Sequence, residues 1–132
     1  MPMKASPTFC VESGAFSVEE GEEAQTNPGV YGKAFAKWLA DRFQEAGRSV
    51  DSVVPEDWGW CVILQQEPFP LWVGCGNENG SSDKWKAFVV AEGGIFRKVF
   101  GNNDIAENVR CVKSELQRIL KTAPGATRTW TE

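Results

Sequence analysis

The sequence contains no histidine, and none of its four cysteines, at positions 10, 61, 75 and 111, belongs to a CxxC pair. Without an imidazole, Ser-His-Asp and Cys-His catalysis are excluded. Structural zinc sites need closely spaced Cys and His ligands, so we expect no metal or other cofactor. No apolar stretch approaches the length of a membrane span, and no signal-peptide pattern opens the chain. We therefore expect a cytoplasmic protein with reduced thiols and no membrane partner.

Basic residues are few in the first half of the chain. Residues 1–66 carry ten Asp/Glu and five Lys/Arg, a net charge of −5, whereas residues 67–132 carry eight and nine, a net charge of +1. No basic cluster follows one element, so nucleic-acid binding is not expected. The acidic half instead favours a protein partner with a basic surface.

Large aromatic rings are what the chain has in excess, with six tryptophans and eight phenylalanines against one tyrosine. Such rings bury more apolar surface than other side chains, and most of them are expected in a core. A chain of 132 residues is long enough for one such core. We predict a single domain over 1–132, with an ordered part at about 8–122 between flexible tails.

Hydrophobic periodicity predicts two helices and six strands. The first helix lies within 26–47, with Thr26 or Asn27 as cap, Pro28 in the first turn and Gly47 just past the end. The second helix lies within 102–121. The strands are predicted at 8–13, 49–55 (ending at Pro55), 60–66, 70–76, 84–92 and 95–100, and residues 17–25 are predicted to be a solvated loop.

The order β-α-β-β-β-β-β-α predicts an α+β two-layer sandwich. Most links between strands are too short for parallel crossovers, so the sheet is expected to be mainly antiparallel, with about five to six strands. Each helix has one apolar stripe, and both are expected to cover the same face of the sheet.

A hairpin is predicted around Pro68. A register symmetric about this residue pairs Cys61 with Cys75 and places Trp60 over Gly76 and Gly74. One face would then carry Trp60, Val62, Leu64 and Trp72, and the other Cys61, Ile63, Val73 and Cys75. A slip of one residue would exchange the two faces. In this register the two thiols are close enough to pair, although inert packing of both cysteines is the alternative.

The segment 55–62 (PEDWGWCV) places two acids beside two tryptophans. Glu56 and Asp57 could act as acid and base, could grip a sugar stacked on Trp58 or Trp60, or could face a basic partner. The structural alternative is an Asx-turn at this corner. Together with Trp72 and Trp85, these indoles could also form a binding platform or a second small core.

The loop after the fourth predicted strand is rich in polar residues. Asn77, Glu78 and Asn79 could contact a ligand or supply oxygens to a hard cation, although the EF-hand spacing is missing. The glycines around this loop match neither phosphate-binding motif and are typical of bulges and turns.

The runs VYGKAFAKWLADRFQEAG, PEDWGWCV, LWVGCGNENG and WKAFVV resemble a family of small bacterial proteins of uncharacterised function. The resemblance covers roughly residues 28–122. It implies a bacterial or phage cytoplasmic origin, and it implies no reaction and no catalytic residue.

These observations favour a small, acidic, non-enzymatic module, of inhibitor, immunity or regulatory type, that docks a protein partner through the corner 57–60 (DWGW). The alternative is a small-ligand pocket, with carboxylate-dependent hydrolysis as its enzymatic form. A third interpretation is a homodimer that buries the aromatic face. The predicted binding residues are Glu56, Asp57, Trp58, Trp60, Trp72, Asn77, Glu78 and Asn79, and none is predicted to be catalytic.

Overall fold

An antiparallel sheet of six strands organises the computed structural model, which describes residues 7–92 and 102–132. The strands are β1 (Phe9–Ser13), β2 (Ser52–Glu56), β3 (Gly59–Gln65), β4 (Leu71–Asn77), β5 (Lys84–Ala91) and β6 (Ala126–Thr131), and the helices are α1 (Lys33–Glu45) and α2 (Asn102–Leu120). The strands lie in the order β2-β3-β4-β5-β1-β6, and every neighbouring pair is antiparallel. The predicted α+β class is confirmed. The strand predicted at 95–100 lies outside the described residues.

Both helices pack on one face of the sheet, as predicted. Helix α1 contacts β2, β3 and β4, and α2 contacts β1, β5 and α1. The 3.6-residue period places Phe35, Leu39 and Phe43 on one stripe of α1, and all three are fully buried. Burial of each such side chain contributes roughly 1.5–3 kcal/mol relative to exposure. Within the described residues, no helix has both the length and the apolar composition needed to cross a membrane.

Helix α1 begins later than predicted. Its first residue is Lys33, and the preceding Gly32 has φ +149°. The predicted cap at Thr26 or Asn27 was wrong, because the cap comes from an earlier part of the chain. The Glu22 carboxylate accepts hydrogen bonds from the backbone N–H groups of Gly32 and Lys33, at 2.9 and 3.2 Å. It also lies at the positive end of the helix dipole.

The acidic segment 17–25 is more ordered than predicted. It contains a short 3-10 helix, Glu22–Ala24, and Glu22 is only 2% exposed. The second oxygen of this carboxylate accepts a hydrogen bond from the Glu19 N–H at 2.7 Å. The three backbone N–H groups satisfy the hydrogen-bonding capacity of this buried carboxylate, so the segment is an ordered part of the fold.

The β3–β4 hairpin differs from the predicted register by one residue. Trp60 pairs with Cys75, and Cys61 pairs with Gly74. An irregularity between Ile63 and Gln65 takes up the extra residue, so symmetry about Pro68 holds only near the turn. The predicted assignment of the two faces was therefore wrong: Trp60, Val62, Leu64, Val73 and Cys75 face the helices and belong to the core.

The two edge strands also correct the prediction. Strand β2 does not end at Pro55 but continues through it to Glu56, and Pro55 pairs with Trp60. Proline is tolerated there because β2 is an edge strand. The predicted flexible C-terminal tail was wrong, because residues 126–131 form β6 alongside β1. The Glu132 N–H donates to the Thr8 carbonyl at 2.8 Å and closes this pairing.

Candidate functional site

The face of the sheet turned away from the helices, called the open face below, carries the candidate site. Alternation along β3, β4 and β5 points Cys61, Ile63, Trp72, Gly74 and Phe88 to this side. On β5 the alternation places Trp85, Ala87 and Val89 on the core side, where all three are buried, so Trp85 is not part of the aromatic platform that the sequence suggested.

Three aromatic rings meet on the open face. Trp58, from the turn between β2 and β3, stacks on Trp72 with ring centroids 5.9 Å apart and an angle of 28°. Phe88 lies 5.7 Å from Trp58 and 6.2 Å from Trp72, the second pair in an edge arrangement. These separations are typical of favourable aromatic pairs, each worth about 0.5–1.5 kcal/mol beyond area burial. We call Trp58, Trp72 and Phe88 the aromatic cluster.

Gly74 makes room for this cluster. A Cβ atom at this position would lie 2.5 Å from Cζ of Phe88 and 2.9 Å from Cη2 of Trp58. Both distances are far below van der Waals contact. The missing side chain therefore allows the two rings to lie directly on the backbone of β4.

The turn that carries Trp58 depends on a second glycine. Gly59 has φ +156°, and a Cβ there would lie 2.4 Å from the Cys75 carbonyl oxygen. The side-chain amide of Asn27 donates to the Asp57 carbonyl oxygen at 2.9 Å. The corner is thus held close to β4 on one side and to the loop before α1 on the other.

A groove of about 590 Å³ runs beside the aromatic cluster. It is lined by Glu56, Trp58, Cys61, Ile63, Gln65, Gln66, Glu67, Pro70, Trp72 and Glu92. Among the described residues that line it, three are glutamates and none is a lysine or an arginine. The indole N–H of Trp72 donates to a carboxylate oxygen of Glu92 at 3.0 Å, which fixes the ring against the groove wall.

The Cys61 thiol lies in the floor of this groove. Burial, followed by the negative charges of Glu56 and Glu92, raises its pKa to about 12. The thiol is therefore protonated at neutral pH and is not a nucleophile there. Because Glu56 at the end of β2 and Glu92 just after β5 both raise this pKa, the negative charges of both carboxylates reach the middle of the groove.

A second groove of similar volume lies on the helix side, beside Arg48, Glu115 and Arg118. Arg48 Nε donates to Glu115 Oε1 at 2.9 Å, and this contact raises the pKa of the arginine. Arg48 and Glu115 are paired with each other, so this groove leaves fewer charged groups available to a ligand than the groove on the open face does.

Of the predicted binding residues, the structure brings Glu56, Trp58 and Trp72 together around one groove. Asp57 is exposed at the corner next to them but does not line the groove. Trp60, also among the predicted binding residues, is 3% exposed and lies in the core, whereas Trp58 is the exposed indole of the corner. The prediction that Trp60 lies over Gly74 and Gly76 was wrong, because it used the register that is shifted by one residue. The indole that lies over Gly74 is Trp58.

The polar loop contributes to the fold more than to the groove. The Asn77 amide donates to the carbonyl oxygens of Gly29 and Ser81, at 2.8 and 2.9 Å, and accepts from the Tyr31 N–H at 3.0 Å. Its donors are therefore all in use. Glu78 and Asn79 follow in the same loop and do not line the groove.

The prediction that Cys61 and Cys75 lie opposite each other on one face of the hairpin was also wrong. With the observed register they point to opposite faces, and both thiols are free. Burial raises the pKa of Cys75, with a smaller contribution from Cys61. No cluster of three or more Cys, Asp or Glu within 7–92 and 102–132 is placed to hold a metal ion.

Sequence reasoning missed Glu67, Glu92 and Phe88 as parts of the site. Strand alternation along 84–92 puts Phe88 and Glu92 on one side, and that alternation is the signal in the sequence that could have found them. Glu67 lies in the hairpin turn, far in sequence from Glu92, and only the correct register brings the two to one groove.

Comparison of the chain with family models, with curated proteins and with solved structures finds no match. The site geometry is therefore the basis for the functional proposals that follow.

Proposed function

We propose that this protein is a non-enzymatic binding module that docks a protein partner on its open face. The observation that carries the proposal is Trp58, which is 45% exposed while it is stacked on Trp72. Large apolar side chains this exposed are rare in the described part of the chain, where only Val18 joins it. An exposed indole is a frequent energetic centre of protein interfaces.

The aromatic cluster prepares Trp58 for binding. Stacking on Trp72 and contact with Phe88 restrict the side chain before a partner arrives. Immobilising a free side chain at an interface costs about 0.5–1.5 kcal/mol, and a ring that is already held avoids most of this cost. Because the cluster already restricts Trp58, this side chain loses less conformational entropy on binding than a mobile surface side chain would.

Charge supports a basic partner surface. Glu56, Asp57 and Glu92 are exposed around the cluster, and Glu67 is exposed at the far end of the groove. Complementary charge steers association and selects the partner. An inhibitor, immunity or regulatory protein that covers a basic surface would have this character.

The alternatives receive less support from the geometry. The pair predicted from the sequence for carboxylate-dependent hydrolysis was Glu56 and Asp57, and of these two only Glu56 lines the groove. A homodimer through the aromatic cluster would use the same surface and is one outcome of the test below. The proposal includes a bacterial, cytoplasmic setting, in which the four cysteines stay reduced.

The test is affinity capture from a bacterial cell lysate, followed by mass spectrometry. The bait proteins are the wild type, Trp58→Ala, Glu56→Lys/Asp57→Lys, and the charge-matched control Glu20→Lys/Asp41→Lys, whose two acids are exposed elsewhere. We expect a partner that the wild type and the control retain and the two site variants lose. A partner retained equally by Trp58→Ala would contradict the proposal, as would a wild-type dimer in sedimentation that Trp58→Ala abolishes.

A further inference from the structure

Resting on the proposed function, we infer that the groove beside the aromatic cluster receives an arginine side chain carried by an extended segment of the partner. The guanidinium would lie against the ring faces of Trp58 and Trp72, with the groove carboxylates around it. Four features of the groove lead to this occupant.

The first feature is the charge of the lining. Glu56, Glu67 and Glu92 contribute three carboxylates, and within 7–92 and 102–132 no basic residue joins the lining. A neutral or anionic occupant would leave these charges without partners, whereas a cation would be attracted by all of them. Two of the carboxylates, Glu56 and Glu92, already act together on the thiol of Cys61 in the groove floor.

The second feature is the pair of indole rings. A cation placed over the face of tryptophan is attracted by the ring quadrupole, and tryptophan is the best of the aromatic residues for this contact. The chain contains an example of its own on the same face of the sheet, where the guanidinium carbon of Arg128 lies 4.1 Å from the ring centroid of Trp130. That ring is at the β6 edge and is already occupied, whereas Trp58 and Trp72 have no arginine of the described chain over them.

The third feature distinguishes arginine from lysine. Guanidinium is planar, so it can stack on an indole and present N–H groups in its plane to carboxylates at the same time. The groove offers both surfaces together, since Trp72 is hydrogen-bonded to Glu92 at the groove wall. An ammonium group is compact and strongly hydrated, and it would use only one of the two.

The fourth feature is the shape. Cys61, Ile63 and Gln65 lie along the floor, so the floor extends for up to about 13 Å at the rise of a β-strand, with the irregularity of β3 between Ile63 and Gln65 at one end. That length matches three to four residues of an extended segment. The volume of about 590 Å³ exceeds the space of one side chain. Cys61 and Ile63 in the floor suit small apolar residues two positions before and after the arginine, because side chains of an extended segment alternate between its two sides.

The test uses two blocked pentapeptides, Val-Ser-Arg-Ser-Val and the same peptide with citrulline in place of arginine. Citrulline keeps the shape and removes the charge. Two-dimensional NMR follows the indole N–H signals of the six tryptophans during each titration. We expect the arginine peptide to shift the signals of Trp58 and Trp72 and to leave Trp130 unchanged, and we expect the citrulline peptide to bind about tenfold more weakly or worse.

Variants separate the contributions of ring and charge. Trp58→Ala should weaken the arginine peptide about tenfold or more, Trp58→Phe should restore part of the binding, and Trp130→Ala should leave it unchanged. Glu56→Gln/Glu92→Gln should weaken the arginine peptide and leave the citrulline peptide unaffected. Equal binding of the two peptides, or shifts centred on Trp130, would overturn the inference.

The outcome also distinguishes this inference from the proposed function. If lysate capture depends on Trp58 while neither peptide binds the groove, the arginine occupant is wrong and the docking module stands. If the peptide fails and capture is also independent of Trp58, both are overturned.

Discussion

Replacement of Gly74 by alanine tests the packing that holds Trp58 on the open face. The new methyl group would lie 2.5 and 2.7 Å from two ring atoms of Phe88 and 2.9 Å from Trp58. Overpacking of this kind costs about 1–3 kcal/mol. Alanine in place of glycine recovers about 0.5–1 kcal/mol of backbone entropy in a strand. We therefore expect a net loss of about 1–2 kcal/mol in the free energy of unfolding.

Urea denaturation, followed by tryptophan fluorescence, measures this loss as a shift of the midpoint at constant slope. The matched control is Gly14→Ala, because a Cβ at Gly14 meets nothing within 4 Å and its φ lies outside the left-handed region. The control should be neutral or slightly stabilising. The double variant Gly74→Ala/Phe88→Ala should be less destabilised than the sum of the two single variants, by about 1 kcal/mol. A Gly74→Ala protein as stable as the wild type, or additive effects, would refute the reasoning.

Three further predictions concern the fold around the site. Glu22→Gln should lower the free energy of unfolding, measured in urea, by about 1–2 kcal/mol, because the new side-chain NH2 group would face one of the three backbone N–H donors and could not accept its hydrogen bond. The control Glu20→Gln, at an exposed position, should change it by less than about 0.5 kcal/mol. Asn77→Ala should cost about 2–4 kcal/mol by thermal denaturation, since three hydrogen bonds of the buried amide are lost, and an unchanged midpoint would contradict this structural role. Burial raises the pKa of Cys61 to about 12, so the contribution of this thiol to the free energy of unfolding is complete below about pH 9 and is lost as the pH rises towards 12. Cys61→Ser should make the loss of stability over that window smaller, and the part that remains includes the contribution of Cys75. At pH 8 a thiol reagent should modify the exposed Cys111 well before Cys61.

The two-layer fold could be predicted because its signals are local. The stripe in 102–121 and the alternation in 84–92 each repeat over enough residues to define an element and a face. The start of α1 could not be predicted, because its cap is Glu22, ten residues before Gly32, while the local signals at Asn27 and Pro28 favoured an earlier start. Strand β6 was missed because an edge strand next to a chain end is stabilised mainly by pairing with β1, and that pairing has no local signature.

The candidate site was predicted in part for the same reason. The corner at Glu56 and Trp58 is a local feature, and it does contribute to the groove. Whether Trp60 or Trp72 lies on the same face as this corner depends on the register of the β3–β4 hairpin, since a shift of one residue exchanges the faces. The irregularity between Ile63 and Gln65 sets that register. Glu67 lies in the turn before β4 and Glu92 follows the end of β5, so only the pairing of β4 with β5 brings them to one surface.

The central claim is that Trp58 anchors a partner on the open face. The most direct measurement is the Kd of the captured partner, by calorimetry, for the wild type, Trp58→Ala and Trp130→Ala, since Trp130 is another partly exposed indole of the same sheet face. Loss of an interface anchor costs about 2 kcal/mol or more, so Trp58→Ala should raise the Kd about thirtyfold. Trp130→Ala should leave it within about threefold. Equal effects of the two substitutions, or no effect of Trp58→Ala, would contradict the claim.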